Sequence, residues 1–303
     1  MLTLALDIGG TKIAVGLTDP AGELVHKAIE PTPKDHEAEH VWSLIDGMIA
    51  DATKAAKGAI RAVGIGSAGP IDANAGTVSP VNIASWRGFP LRDRIAAAVP
   101  GVPVRLAGDA ICMALAEHWR GAGRGANFLL GMVVSTGVGG GLVLDGVPYH
   151  GRTGNAGHVG HVVVEPDGQP CPCGGRGCVE TVASGPWMTR WALANGWAAP
   201  PGADAVTLAE AADAGDPVAL QAFHRGATAL AAMIASVGAV CDLDLVVIGG
   251  GVANSGRILF DPLRTALANY AGLSFIRGLR VVPAALGGDA GLIGAAALVS
   301  SVR

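Results

Sequence analysis

The strongest constraint on the fold is a pattern that occurs twice in the chain. Residues 2–6 read as an apolar strand, followed by the glycine turn Asp7-Ile8-Gly9-Gly10-Thr11-Lys12, a strand over 13–18 and the turn Asp19-Pro20-Ala21-Gly22. At Phe128 the order recurs: strand 128–134, glycine turn Ser135-Thr136-Gly137-Val138-Gly139-Gly140-Gly141, strand 142–144, turn Asp145-Gly146. Short solenoid repeats have periods of ~20–50 residues, so copies this far apart point to two related α/β domains instead. A third strand over 23–29 makes the first copy a β-meander. A helix from about His36 to Lys57, a strand over 62–66 and loops punctuated by Pro70, Pro80 and Pro90 follow, then a strand over 104–106 and a helix over 110–119. After the second copy, helix 217–240, strand 243–248, helix 260–269, strand 280–283 and helix 291–299 keep the alternation of a layered α/β protein. The expected domains are 1–107, completed by a C-terminal helix over 290–303, and 108–289.

Composition agrees with two domains. Of 303 residues, 50% are hydrophobic and 15% charged, enough to bury two ordinary cores. Met1 runs straight into the first strand without the basic flank, apolar run and cleavage site of a secretory signal. No uninterrupted apolar stretch reaches the ~20 residues of a membrane span. A cytoplasmic protein without membrane partners is expected. The net charge of −4 argues against general nucleic-acid binding, which draws on basic surface, and leaves small molecules as the expected partners.

The two glycine turns carry the first chemistry. Glycines between strands permit positive φ and let backbone N–H groups approach an anion with no Cβ in the way. One such turn is usually a plain hairpin, but two equivalent ones, each with a threonine (Thr11, Thr136), suit a polyphosphate. Neither is a Walker loop, which ends in Gly-Lys-Ser/Thr before a helix. A third cluster, Gly249-Gly250-Gly251, follows a strand at the place where α/β folds hold nucleotides. Alone it could be a tight turn.

Cysteine placement adds a metal. Of five cysteines, Cys112 and Cys241 lie in apolar sequence and read as core residues, whereas Cys171, Cys173 and Cys178 crowd together. In a reducing compartment such crowding favours a metal site over disulfides. With His161 upstream they complete a tetrahedral Cys₃His set of the structural zinc kind.

These residues together resemble the ROK family of sugar kinases and sugar-responsive repressors. The resemblance rests on the two glycine turns, on Cys171-Pro172-Cys173-Gly174-Gly175-Arg176-Gly177-Cys178-Val179-Glu180, and on the final Gly288-Asp289-Ala290-Gly291-Leu292-Ile293-Gly294-Ala295. It covers essentially the whole chain. It implies a two-domain, duplicated fold of the actin/hexokinase kind, with ATP and sugar meeting in a cleft between domains, and it assigns the same four zinc ligands.

It also implies roles for particular residues. Asp109 opens a helix after the 104–106 strand, a position that by itself fits a helix cap as well as a catalytic base; the resemblance makes it the base. The family carries Asn-Asp there, and this chain has Gly108-Asp109, so one sugar contact is missing. Gly69, Asn82, His161 and Glu180 match sugar contacts of the family. His161 would then serve sugar and zinc through its two ring nitrogens. Asp7 is expected to position Mg²⁺ or the transferred phosphate, with Gly9, Gly10, Thr11, Lys12, Thr136, Gly137 and Gly249–Gly251 holding ATP. Where glucokinases of the family have Ala-Gly-Glu-x-Gly-His, this chain has Ala156-Gly157-His158-Val159-Gly160-His161. Ionised Glu only accepts hydrogen bonds, whereas neutral His also donates one, and a donor suits the carbonyl of an N-acylated sugar. N-acetylmannosamine kinases are similar in having His at this position.

The expected activity is therefore ATP-dependent phosphorylation of the 6-hydroxyl of a hexose or N-acylhexosamine, by a homodimer or homotetramer. The alternatives are a kinase of an unusual sugar or cyclitol, and a sugar sensor without catalysis. The family's repressors carry a helix-turn-helix before the first glycine strand, and only six residues precede Asp7 here.

Overall fold

The computed structural model describes residues 1–34, 37–58 and 60–300, which form two compact units. The first comprises Met1–Arg124, Pro148–Ala156 and Gly288–Arg303; the second comprises Gly125–Val147 and Gly157–Gly287. The expected helix start at His36 and the last three positions of the expected 290–303 helix lie outside the described residues.

In the first unit, β1 (Leu2–Ile8), β2 (Lys12–Thr18), β3 (Leu24–Pro31), β4 (Ile60–Ser67) and, after the short β5 (Ile71–Asp72) and β6 (Thr77–Val78), β7 (Val104–Gly108) build the fold. The five long strands form one sheet in the order β3-β2-β1-β4-β7. The β3-β2-β1 meander is antiparallel, and β1, β4 and β7 run parallel. Strand β1 is buried on both faces, as an apolar run between two neighbours and two covering layers should be. Helix Ala38–Ala56 supplies one layer, burying Val41, Ile45, Met48, Ile49, Ala52 and Ala56 at helical spacing. Helices Asp109–Arg120 and Ala290–Ser300 supply the other. They pack backbone against backbone: a Cβ on Gly294 would overlap the Cys112 main chain, and one on Gly64 would overlap Ala295. This packing carries Asp109 and its helix into the first unit, so that unit runs past the expected boundary at residue 107.

The second unit repeats the plan. Strands β8 (Phe128–Val134), β9 (Val138–Leu144), β10 (Val147–Tyr149), β11 (Leu245–Gly249) and β12 (Arg280–Pro283) lie in the order β10-β9-β8-β11-β12. Again an antiparallel hairpin (β8-β9) precedes parallel pairs (β8-β11, β11-β12). Helix Pro217–Cys241 is the spine of its core; Asp216 caps it by accepting from the Val218 and Ala219 N–H groups. Among the described residues it is the one helix long and apolar enough to cross a membrane, but Phe223, Leu230, Met233 and Ile234 are buried in the core of the unit.

An expected turn boundary moves as well. Gly139, Gly140 and Gly141, read from sequence as part of a turn, are residues of β9 paired with Val133, Met132 and Gly131. The turn itself is only Ser135–Gly137, closed by the Ser135 N–H donating to the Gly137 carbonyl at 2.8 Å.

Candidate active site

In the first unit the register of the parallel strands assembles the site. Ile8 lies beside Ser67, and Ser67 beside Gly108. The residues that follow each of them, Gly9-Gly10, Ala68-Gly69 and Asp109, therefore emerge in a row at the carboxyl edge of the sheet, where α/β proteins bind ligands. Hydrogen bonds fix these loops. The Ala68 N–H donates to the Ile8 carbonyl at 2.9 Å, the Val81 N–H to the Gly69 carbonyl at 3.3 Å, and the Gly9 N–H to the Lys12 carbonyl at 3.0 Å. The Thr32 hydroxyl donates to the Gly9 carbonyl at 2.7 Å. Asn82 is exposed and lies against Gly10, where a Cβ would overlap it. Thr11 and Lys12 are exposed at the turn.

Asp109 is the first residue of its helix, with an exposed side chain whose Oδ1 accepts the Ala110 N–H at 2.7 Å. Asp7, near the end of β1, is enclosed. Its carboxyl is raised from the ordinary 3.8 to about 6, first by burial and then by the Asp109 charge, with Lys12 opposing. Because the folded value lies above the unfolded one, the fold favours the protonated acid. That advantage is complete below about pH 4 and disappears as pH rises through about 6. Asp7→Asn, which cannot ionise, should melt several degrees above the parent at pH 8, the gap closing towards pH 4.5. Scanning calorimetry across that range measures it, and a gap that does not depend on pH would refute it.

In the second unit the turn Ser135–Gly137 lies between two further loops. The Gly185 N–H donates to the Ser135 carbonyl at 2.8 Å, and the Val252 N–H to the Val134 carbonyl at 3.0 Å. Gly250 adopts φ 95° against Val134, where a side chain would be strained and would overlap the backbone. Gly249–Gly251 and Thr136-Gly137 thus share one edge of the sheet. Glu180 is tied to the same turn: its Oε2 accepts the Val138 N–H at 2.9 Å and stands where a Cβ of Gly137 would be. Gly9, Gly10 and Gly137 all avoid left-handed φ. Gly10 and Gly137 are close-approach glycines, against Asn82 and Glu180, rather than conformational ones.

His158 precedes the short helical turn Val159–His161 and His161 ends it; the turn packs on β9. Side chains at Gly157 and Gly160 would strike Gly140 and Val138, and the two imidazoles lie 6.4 Å apart. His161 Nδ1 is 3.7 Å from Cys171 Sγ, and Cys173 Sγ is 3.8 Å from Cys178 Sγ. All four ligand atoms lie within 4.8 Å of one another. Tetrahedral zinc with bonds of about 2.3 Å to sulfur requires sulfur atoms ~3.8 Å apart, so the donors present fit the ion. Burial and the neighbouring thiols push Cys178 up to about 12, while the Gly175 N–H lowers Cys173. Deprotonating three thiols this close needs a cation. The loop is braced by Arg225, which donates to both Glu165 oxygens at 2.8 and 3.0 Å, and by the Val179 N–H donating to the Val162 carbonyl at 2.9 Å.

Sequence reading left Gly291 without a role, yet it lies against the Asp7 carboxyl. The final glycine motif was its only sequence signal.

This duplicated sheet, with glycine turns and carboxylates at its carboxyl edges, is the fold of the actin-like sugar kinases. The ROK family pattern matches residues 3–302, and the chain belongs to that family. It is 37% identical to the glucokinase of Thermotoga maritima over 98% of this chain and 96% of that one. To the N-acetylmannosamine kinase of Yersinia pestis it is 35% identical, over 97% of this chain and 96% of the relative. It is also similar to the crystal structure of a ROK glucokinase from Streptomyces griseus in complex with glucose and AMPPNP. There the TM-score is 0.81 and the identity 35%, with 98% of this chain and 99% of that one covered.

Proposed function

We propose that the chain is an ATP-dependent kinase that phosphorylates the 6-hydroxyl of a hexose or N-acylhexosamine, with Asp109 as the base. The observation that carries this is the row Gly9-Gly10, Gly69 and Asp109 at one sheet edge, with Asp7 electrostatically coupled to Asp109. Asp109 accepts the proton of the sugar hydroxyl as its oxygen bonds to the γ-phosphorus; the bond from phosphorus to the β,γ-bridging oxygen breaks and ADP leaves. The backbone N–H groups of Gly9–Lys12, Thr136-Gly137 and Gly249–Gly251 hold phosphate oxygens. Gly69, Asn82, His158, His161 and Glu180 hold the sugar. Asp7 offers the hard oxygen ligand that Mg²⁺ prefers, and the ion neutralises charge on the phosphates when bound. Zinc on His161, Cys171, Cys173 and Cys178 would be structural, because four protein ligands leave no open position.

His158 is exposed on its turn and offers a donor to a carbonyl. We therefore expect kcat/KM for N-acetylmannosamine to exceed that for glucose by at least ~10-fold, within the range a hydrogen-bonding site can discriminate. His158→Glu should tilt the ranking towards glucose. A panel of glucose, mannose, N-acetylglucosamine, N-acetylmannosamine and a cyclitol decides it: glucose ranked first in parent and variant alike would make the chain a glucokinase. One observation favours an unusual sugar or cyclitol instead. Gly108 has ordinary extended backbone, and a Cβ there would meet nothing within 4 Å, so the place of the family's asparagine is open to a larger substituent. An ADP-release assay on the same panel separates any kinase from a sensor.

A further inference from the structure

Gly291 is the second residue of helix Ala290–Ser300, outside the left-handed region, at a position where alanine is the better helix former. Nothing in its backbone calls for glycine. What does is its surroundings. A Cβ at this position would overlap Asp7, and its three nearest atoms would be Oδ2, Cγ and Oδ1 of that one carboxyl. Gly294, one turn on, differs: the three atoms nearest its Cβ would all be backbone of Cys112, which is helix packing. The Asp7 carboxyl is thus wedged between the end of β1 and the first turn of the C-terminal helix. There burial and the Asp109 charge both disfavour its ionised form, with Lys12 opposing.

We infer that Gly291 is a positioning residue for phosphoryl transfer, its missing side chain forming the seat that holds the Asp7 carboxyl beside Asp109. The inference rests on the kinase reading for its consequence, though not for the contact. A side chain at 291 must push the carboxyl out of its seat, and displacement of a positioning group by about 1 Å can cost as much as ~10²-fold in rate. Steric displacement also predicts a sign reversal. Once the carboxyl is gone, alanine at 291 should help the helix instead of harming the site.

The test is a double-mutant cycle of the parent, Gly291→Ala, Asp7→Ala and the double variant, read by melting temperature and by kcat and KM for sugar and MgATP. Gly291→Ala alone should lower the melting temperature, reduce kcat at least ~10-fold and raise KM for MgATP more than KM for sugar. In the Asp7→Ala background the same change should be neutral or raise the melting temperature by roughly 2–3 °C. Gly294→Ala should be harmful in both backgrounds. Equal melting costs of Gly291→Ala in the two backgrounds, or parent-like kinetics of the single variant, would overturn the inference. So would failure of both the single and the double variant to fold, whereas a single variant too unstable to purify beside a stable double supports it. If the parent phosphorylates no sugar, the kinase reading fails while the melting cycle still reports on the seat.

Discussion

Asp109→Asn is expected to lower kcat by at least ~10², a loss of about 2.7 kcal/mol of transition-state stabilisation, with sugar affinity held within a few-fold. The amide keeps the shape of the carboxyl and can still accept the Ala110 N–H, so the helix start at Gly108-Asp109 is preserved. What it cannot do is take the hydroxyl proton. The same variant carries a second signature, because the Asp109 charge is one of the causes that raise the Asp7 carboxyl. Removing it should move the acid limb of the residual rate below the parent's, a shift that damage to the fold would not produce. Steady-state kinetics between pH 5 and 8, with calorimetric titration of the sugar, read both. Turnover near the parent's would take Asp109 out of the mechanism.

Some of this was legible in the chain, and the rest has a physical reason for being hidden. Strands β8 and β12 fall where alternation of apolar runs and turns places them, since both are short apolar runs bounded by breakers. The duplicated meander was legible because its turns are local. Helices Leu91–Ala98, Gly185–Ala194 and Ala205–Asp213 were passed over; they are short, and they owe their order to packing on neighbours. One local signal did exist: Asp204 accepts the Val206 and Thr207 N–H groups as a helix cap. The close-approach glycines are harder. Gly10 needs Asn82, Gly137 needs Glu180 and Gly291 needs Asp7, and each partner is remote in sequence. Likewise the placing of Asp7 and Asp109 towards the same edge of one sheet follows from two successive parallel registers, which composition and spacing do not specify.

The zinc loop offers the other large effect. Protein purified without chelators should contain about one zinc per chain, and Cys173→Ser should abolish that stoichiometry while lowering the melting temperature by roughly 5–10 °C, as loss of a metal ranks among the costliest single changes. Serine is chosen because it keeps the size of Cys173, which is exposed and packs little, so the cost measures the ligand rather than a cavity. Cys112→Ser and Cys241→Ser, outside the cluster, should leave zinc content unchanged. The consequence should reach the sugar through the chain itself. Cys178 is followed by Val179, bonded to Val162 next to His161, and then by Glu180, which holds the Val138 N–H. Without the ion the three thiols no longer fix this path, so KM for the sugar should rise at least ~10-fold, a modest outcome for displaced positioning groups, with a smaller change in kcat. Elemental analysis, melting curves and kinetics on the same preparations test the chain of effects link by link. A fresh, unchelated parent that is metal-free, stable and active would remove zinc from the fold, and Cys173→Ser with parent-like sugar KM would cut the link between the loop and Glu180.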